Sequence, residues 1–174
     1  MTLPAVTLVL GGARSGKSSH AEKLVESQSG PCRYVATAQA QDAEMAARIA
    51  EHQARRGPRW TTVEEPLDLI AALQATALAD GALLVDCLTL WVSNLMLAER
   101  DVAAEQAALL SRLPQLAGPV VFVSNEVGLG IVPMNKMARD FRDHAGRLNQ
   151  AIARIADRVD FLAAGLVMPL KRPC

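Results

Sequence analysis

The stretch AVTLVLGGARSGKSSHAEKLVES, residues 5–27, decides the fold. Residues 5–10 form a short, nearly continuous apolar run, as expected of a strand covered on both faces. Residues 11–18, GGARSGKS, follow at once and fit G-x-x-x-x-G-K-[ST]. Residues 18–27 then read as a helix. Chance would place that pattern in a chain of this length on the order of once in two hundred, and here an apolar strand precedes it and a helix follows. Gly11, Gly12 and Gly16 let the backbone wrap a polyphosphate, with Ala13, Arg14 and Ser15 completing the wrap and aiming N–H donors inward. The helix start adds its positive dipole end. Lys17 suits the β- and γ-phosphates, and the Ser18 hydroxyl suits Mg2+. The pattern implies a purine nucleoside triphosphate and phosphoryl or nucleotidyl transfer to a small molecule.

Working outward, apolar runs alternate with helical segments. Strands are expected at residues 33–37, 61–64, 82–86 and 119–124, and helices at 41–56, 66–79, 89–99 and 103–113. Met137, Phe141, Ala145, Leu148, Ile152, Ile155 and Val159 recur at steps of four or three, an apolar stripe on one long helix. Residues 160–164 read as a last strand, and Gly165 turns the chain into an antiparallel edge. The reading is a single three-layer α/β domain over residues 1–174, P-loop NTPase-like, with a mostly parallel central sheet and an antiparallel edge strand.

Composition narrows the partners. Lys plus Arg and Asp plus Glu stand at 18 each, so no global field draws the chain to nucleic acid or an anionic membrane. Aromatic residues are only 3%, too few for a base-stacking surface. No apolar run approaches the roughly 18 residues of a membrane span, and the first residues lack the charged start of a signal peptide. Cys32, Cys87 and Cys174 form no CxxC pair, and a reducing cytoplasm is the economical setting. Cys87 reads as a small core residue.

Asp86 closes the apolar run 82–85, where a second Mg2+ ligand belongs in such a fold. A polar strand end or helix cap is the plainer role, and the phosphate loop favours the metal. His20 reads as solvent-facing or capping, and packing accounts for His144. His52 lies at i+3 from Ile49 and i+7 from Met45. That spacing suits a partly buried side chain, while a neutral imidazole near pH 7 also suits a nucleophile. The glycine-rich segment 125–133 follows a strand end, so Asn125 and Glu126 stand where open α/β sheets bind ligands. Arg139, Arg142, Arg147 and Arg154 alternate with Asp140 and Asp143 as a solvated, ion-paired face.

Four stretches together resemble the bifunctional adenosylcobinamide kinase / adenosylcobinamide-phosphate guanylyltransferases of cobalamin biosynthesis. They are GGARSGKS (11–18), YVATAQAQDAEMAARIAEH (34–52), LLVDCLTLWVSNL (83–95) and VSNEVGLGIVPMNKMARDFRDHAGRLNQ (123–150). The resemblance implies that ATP or GTP phosphorylates adenosylcobinamide. GTP then guanylylates a histidine, which passes GMP to adenosylcobinamide phosphate. It puts the nucleophile on His52, at the end of D-x-E-M-x-x-R-I-x-x-H, with Lys17 as the other catalytic residue. It also implies nucleotide contacts at Ala36, Thr37 and Ala38, at Gln53, Ala54, Arg55 and Arg56, and at Glu64. Some members carry a histidine pair where this chain has Glu51 and His52, and a glutamate can stand at the position of Met134. Attack at two different phosphorus atoms implies that the donor shifts or the His52 segment moves, and movement is expected around residues 39–57. The resemblance further suggests a homo-oligomer, a trimer with the corrinoid between subunits. The competing readings are a monofunctional P-loop kinase with a structural His52, and a nucleotide-binding regulator that never turns over.

Overall fold

The computed structural model describes residues 3–39 and 56–173. The helix expected at 41–56, together with His52, Gln53, Ala54 and Arg55, therefore lies outside the described residues, apart from Arg56, which is not helical. The movement expected around 39–57 also falls there.

The chain runs β1 (Val6–Gly11), α1 (Lys17–Glu26), β2 (Cys32–Ala36), β3 (Trp60–Glu64), α2 (Leu69–Thr76), β4 (Ala82–Asp86), α3 (Leu88–Leu97), α4 (Val102–Arg112), a 3-10 turn (Leu113–Gln115), β5 (Val120–Asn125), α5 (Lys136–Ile155), β6 (Arg158–Ala163) and β7 (Leu166–Lys171). The strands form one seven-stranded sheet in the order β3-β2-β4-β5-β1-β6-β7. Only the β6–β7 pair is antiparallel. The expected α/β class with an antiparallel edge strand is what is observed.

Continuous apolar strands fit because both faces of the sheet are covered. On one face Leu8, Leu10, Val85 and Phe122 pack with Leu69, Trp91, Leu95, Leu109, Leu148 and Ile152 from α2 to α5. On the other, Val9, Tyr34, Leu84, Val121 and Leu162 pack with Ala21 and Val25 of α1.

Two expectations shift. The helix read at 66–79 spans only Leu69–Thr76, since Asp68 and Ala77 leave helical backbone angles at either end. The long stripe stops at Ile155: Ala156 is extended, so Val159 is buried from β6 and not from the helix. At the stripe's ends Met137 and Ile155 are exposed, while Ala145, Leu148 and Ile152 are buried.

The register aligns the carboxyl ends of the parallel strands. Glu64 pairs with Ala36, Ala36 with Asp86, Gly11 with Asn125, and Gly11 with Leu162 on the other side. Ligands of open α/β sheets bind along this edge.

Candidate functional site

The phosphate loop joins β1 to α1 and packs too closely for a side chain at Gly11. A Cβ at Gly11 would collide with the Leu162 carbonyl oxygen and come within 2.7 Å of Ser15 Oγ. Gly16 caps α1 in the left-handed region, φ 96°, where a side chain would be strained. Arg14 also takes positive φ, 56°, and its side chain is exposed. Ser15 Oγ is buried without a hydrogen-bond partner among the described residues, so the loop holds an unspent donor. Lys17 is 7% exposed and its Nζ donates to Gly12 O at 2.5 Å. Burial pulls its pKa below the ordinary lysine value, against the opposing pull of Cys87 and Asp86. An incoming phosphate supplies the counter-charge that this ammonium lacks. Ser18 is half-buried in the first turn of α1.

Asp86 ends β4, half-buried, and its Oδ2 accepts from Tyr34 Oη at 3.1 Å. Burial, followed by the charge of Asp86, drives the Tyr34 pKa far above its usual value, so the phenol stays a donor. The Arg56 guanidinium lies 3.6 Å from the centroid of the same ring, a cation–π stack. Trp60 meets the ring edge-on at 6.2 Å.

Thr37 is wholly buried, and its side chain is directed into the protein. Its Oγ1 accepts from Cys87 N at 2.8 Å and donates to Cys87 O at 2.7 Å, fixing the end of β2 against the Asp86–Cys87 peptide, which is cis. Asn94 Nδ2 donates to Thr37 O at 2.8 Å and to Pro66 O at 3.1 Å. Ala36 is buried, Ala38 half-buried and Glu64 exposed. Asn125 N donates to Thr89 Oγ1 at 2.7 Å, and Glu126 N to Gly11 O at 3.0 Å. The Glu126 carboxylate folds back on its own loop, accepting from Gly128 N at 2.6 Å. Beyond it, Ile131 and Met134 are each 98% exposed.

The structure thus gathers residues 11–18, 36–38, Arg56, Glu64 and Asp86 along one edge of the sheet, while His52, Gln53, Ala54 and Arg55 lie outside the described residues. Cys87 is buried as expected. His20 is neither solvent-facing nor a cap: its Nε2 stands 2.8 Å from Oδ2 of the buried Asp160. Of the arginine face, Arg142 pairs with Asp143, whereas Asp140 pairs with Lys136 and Arg139 donates to the carbonyls of Pro133 and Met134. Sequence reading missed Tyr34, Thr89 and Asn94 as supports. Asn94 had a signal, since an amide within the apolar run of α3 needs buried partners.

A family model described as cobinamide kinase / cobinamide phosphate guanyltransferase matches residues 7–170. The chain belongs to that family. It is 53% identical, over 94% of its length and 96% of the relative's, to the bifunctional adenosylcobalamin biosynthesis protein CobP of Pseudomonas aeruginosa. It is 41% identical to the CobU protein of the same description from Salmonella typhimurium, covering 94% and 98% of the two chains. Family membership makes the chain a kinase and guanylyltransferase and sets aside the monofunctional reading. Among solved structures, the RadB recombinase aligns with TM-score 0.53 at 16% identity, over 92% of this chain and 75% of that one. That likeness is one of fold alone.

Proposed function

We propose that this chain phosphorylates adenosylcobinamide with ATP or GTP and then converts adenosylcobinamide phosphate to adenosylcobinamide-GDP through a guanylylated His52. The observation that carries the reading is family membership across residues 7–170, joined to a phosphate loop whose Lys17 is buried beside Asp86.

Mg2+ fits the residues present. Among the described residues no group of three or more His, Cys, Asp or Glu side chains forms a closed metal cage. An ion that keeps several waters and binds through one carboxylate, one hydroxyl and the substrate phosphates needs none. Ser18 and Asp86 would hold it, with Asp86 oriented by the Tyr34 hydroxyl. When bound, it neutralises charge developing on the phosphates.

In the first reaction Lys17 and the N–H groups of residues 11–18 hold the triphosphate while the acceptor hydroxyl attacks the γ-phosphorus and loses its proton, the bond to the β–γ bridging oxygen breaks, and ADP or GDP leaves. In the second, a His52 nitrogen attacks the α-phosphorus of GTP, forming an N–P bond as the bond to the β-phosphate oxygen breaks and pyrophosphate leaves. A phosphate oxygen of adenosylcobinamide phosphate then attacks the same phosphorus, breaking the N–P bond and freeing His52. His52 precedes Arg56 by four residues, and four residues reach at most about 14 Å. Arg56 is stacked on the tyrosine that bonds Asp86, which supports reading a histidine four residues earlier as acting at this edge. Arg56 and Glu64 serve as further GTP contacts in this reading, with Ala36, Thr37 and Ala38 shaping the pocket floor.

The exposed Leu129, Ile131, Val132 and Met134 support assembly into a homo-oligomer, which we read as a trimer. Among the described residues no helix is long and apolar enough to cross a membrane, and the cytoplasm is the proposed site of action.

Incubation with α-labelled GTP and Mg2+ tests the second reaction. Acid-labile, base-stable label on the protein is expected, lost in His52→Ala and discharged by adenosylcobinamide phosphate. Absence of label on a protein that still phosphorylates adenosylcobinamide would overturn it.

A further inference from the structure

Asp160 is wholly buried on β6 and takes no part in the chemistry above. Strand alternation turns Val159 and Phe161 toward the α2–α5 side and Asp160 with Leu162 toward α1. Its carboxylate accepts from Arg158 Nε at 2.9 Å and from His20 Nε2 at 2.8 Å, and it pairs with Arg172 just beyond β7. Three elements therefore converge on one buried anion: the phosphate-loop helix through His20, β6 through Arg158, and the chain leaving β7 through Arg172.

The same hairpin meets the loop at two further points. Gly165 N, at its turn, donates to Ser15 O at 3.1 Å. The Leu162 carbonyl occupies the space a Cβ at Gly11 would need. Yet the hairpin is the sheet's edge: β7 pairs only with β6 in the strand order, and all six of its residues are exposed. Edge elements with few buried contacts are the first to open locally. A phosphate loop leaning on such an element would inherit its fraying unless something ties the two together.

We propose that the β6–β7 hairpin, fastened to α1 through Asp160, holds residues 11–18 in their phosphate-binding shape, making Asp160, His20 and Arg172 positioning residues for the triphosphate. The inference rests on the reading of residues 11–18 as a triphosphate site. The converging N–H groups of the loop bind phosphate only at their proper spacing, and a site held by rigid neighbours gives up affinity when those neighbours loosen. Arg172 is the informative handle. Its side chain is 45% exposed, so replacing it opens no core cavity, and it belongs to no nucleotide contact.

The experiment compares the full chain with Arg172→Gln, Arg172→Lys, His20→Gln and Asp160→Asn. GTP affinity is read by calorimetry, and amide hydrogen exchange is read separately for residues 11–18 and for β4 and β5. Arg172→Gln and His20→Gln are expected to weaken GTP about 3- to 10-fold. They should also speed exchange in residues 11–18 while β4 and β5 exchange at the wild-type rate, and Arg172→Lys should restore most of both. Wild-type affinity and wild-type exchange at residues 11–18 in these variants would overturn the proposal. So would a loss of protection spread equally over β4 and β5, which marks a merely structural role. Should Asp160→Asn fail to fold, the Arg172 and His20 variants still decide the matter. A wild-type chain that binds no GTP would instead refute the triphosphate reading, whereas the exchange response of residues 11–18 is measured without nucleotide.

Discussion

Replacing Thr37 by valine keeps the side chain's shape and deletes one hydroxyl, which isolates a pair of buried hydrogen bonds beside Asp86. Thr37 Oγ1 accepts from Cys87 N at 2.8 Å and donates to Cys87 O at 2.7 Å. The two losses are unequal. Cys87 O keeps a second donor, Trp91 N at 3.2 Å, whereas the Cys87 N–H is left buried without its partner. An orphaned buried donor costs about 1–3 kcal/mol. For a chain of this size each kcal/mol moves the melting temperature by about 2–4 °C, so a fall of about 2–12 °C is expected. Thr37→Ser retains the hydroxyl and loses a methyl, costing about 1 kcal/mol. Urea unfolding at neutral pH measures the stabilities, and a Mg2+ titration of kinase activity measures the consequence next door. Because the bonded peptide directly follows Asp86, Thr37→Val is expected to raise the metal requirement while Thr37→Ser leaves it near wild type. A valine variant within about 0.5 kcal/mol of wild type, or a serine variant matching it in both assays, would refute the reasoning.

The remaining predictions concern two buried charged residues, Lys17 and Asp160. Lys17→Met removes an ammonium whose charged form is disfavoured by burial, so thermal unfolding without nucleotide should be unchanged or higher. The same variant should bind triphosphate at least about tenfold more weakly by calorimetry, the equivalent of one charge-assisted hydrogen bond. For Asp160, burial pushes the carboxyl pKa up, but hydrogen bonds from His20, Arg158 and Arg172 outweigh it and hold the value well below the ordinary range. A depressed carboxylate stabilises the fold fully above about pH 5, and that stability is lost as pH falls through and below the ordinary value of about 3.9. Urea midpoints followed from pH 6 to pH 3 should fall along a slope that Asp160→Asn makes shallower.

How much of this was legible in the sequence depended on whether a residue's partner lay nearby in the chain. β1, β4 and β5 are mostly apolar because both faces are buried, and their alternation with helices exposes the parallel sheet directly. The loop 11–18 is legible because its function needs glycine and lysine at set spacings. Val159 was misassigned to the long helix because a buried apolar residue satisfies a helical or a strand period equally, and nothing local marks the extended Ala156. His20 was misread because its partner stands 140 residues away. Thr37 reads as a nucleotide contact from the family resemblance, and only the folded chain shows its hydroxyl bonded to Cys87. Tyr34 lay inside a quoted motif, but its link to Asp86 requires knowing that β2 and β4 are neighbours.

The strand order also bears on how one chain serves two reactions. Neighbouring strands lie about 4.8 Å apart. Gly11 ends β1, Asp86 ends β4 two strands away, and Glu64 ends β3 four strands away. Laterally, Asp86, the proposed metal ligand, therefore stands roughly 10 Å from the phosphate loop and Glu64 roughly 19 Å from it. Arg56, stacked on Tyr34 of β2, lies over the same distant half of the edge. Phosphates gripped by Lys17 with the γ-phosphorus presented for transfer sit above β1. The contacts proposed at Arg56 and Glu64 cannot touch those same phosphates, so they serve the nucleoside end or a nucleotide set further along the edge. In the proposed second reaction, with His52 four residues before Arg56 in the chain, GTP would present its α-phosphorus toward β2. We therefore propose that the two reactions differ in where the nucleotide lies along a shared edge, with Asp86 between the two positions.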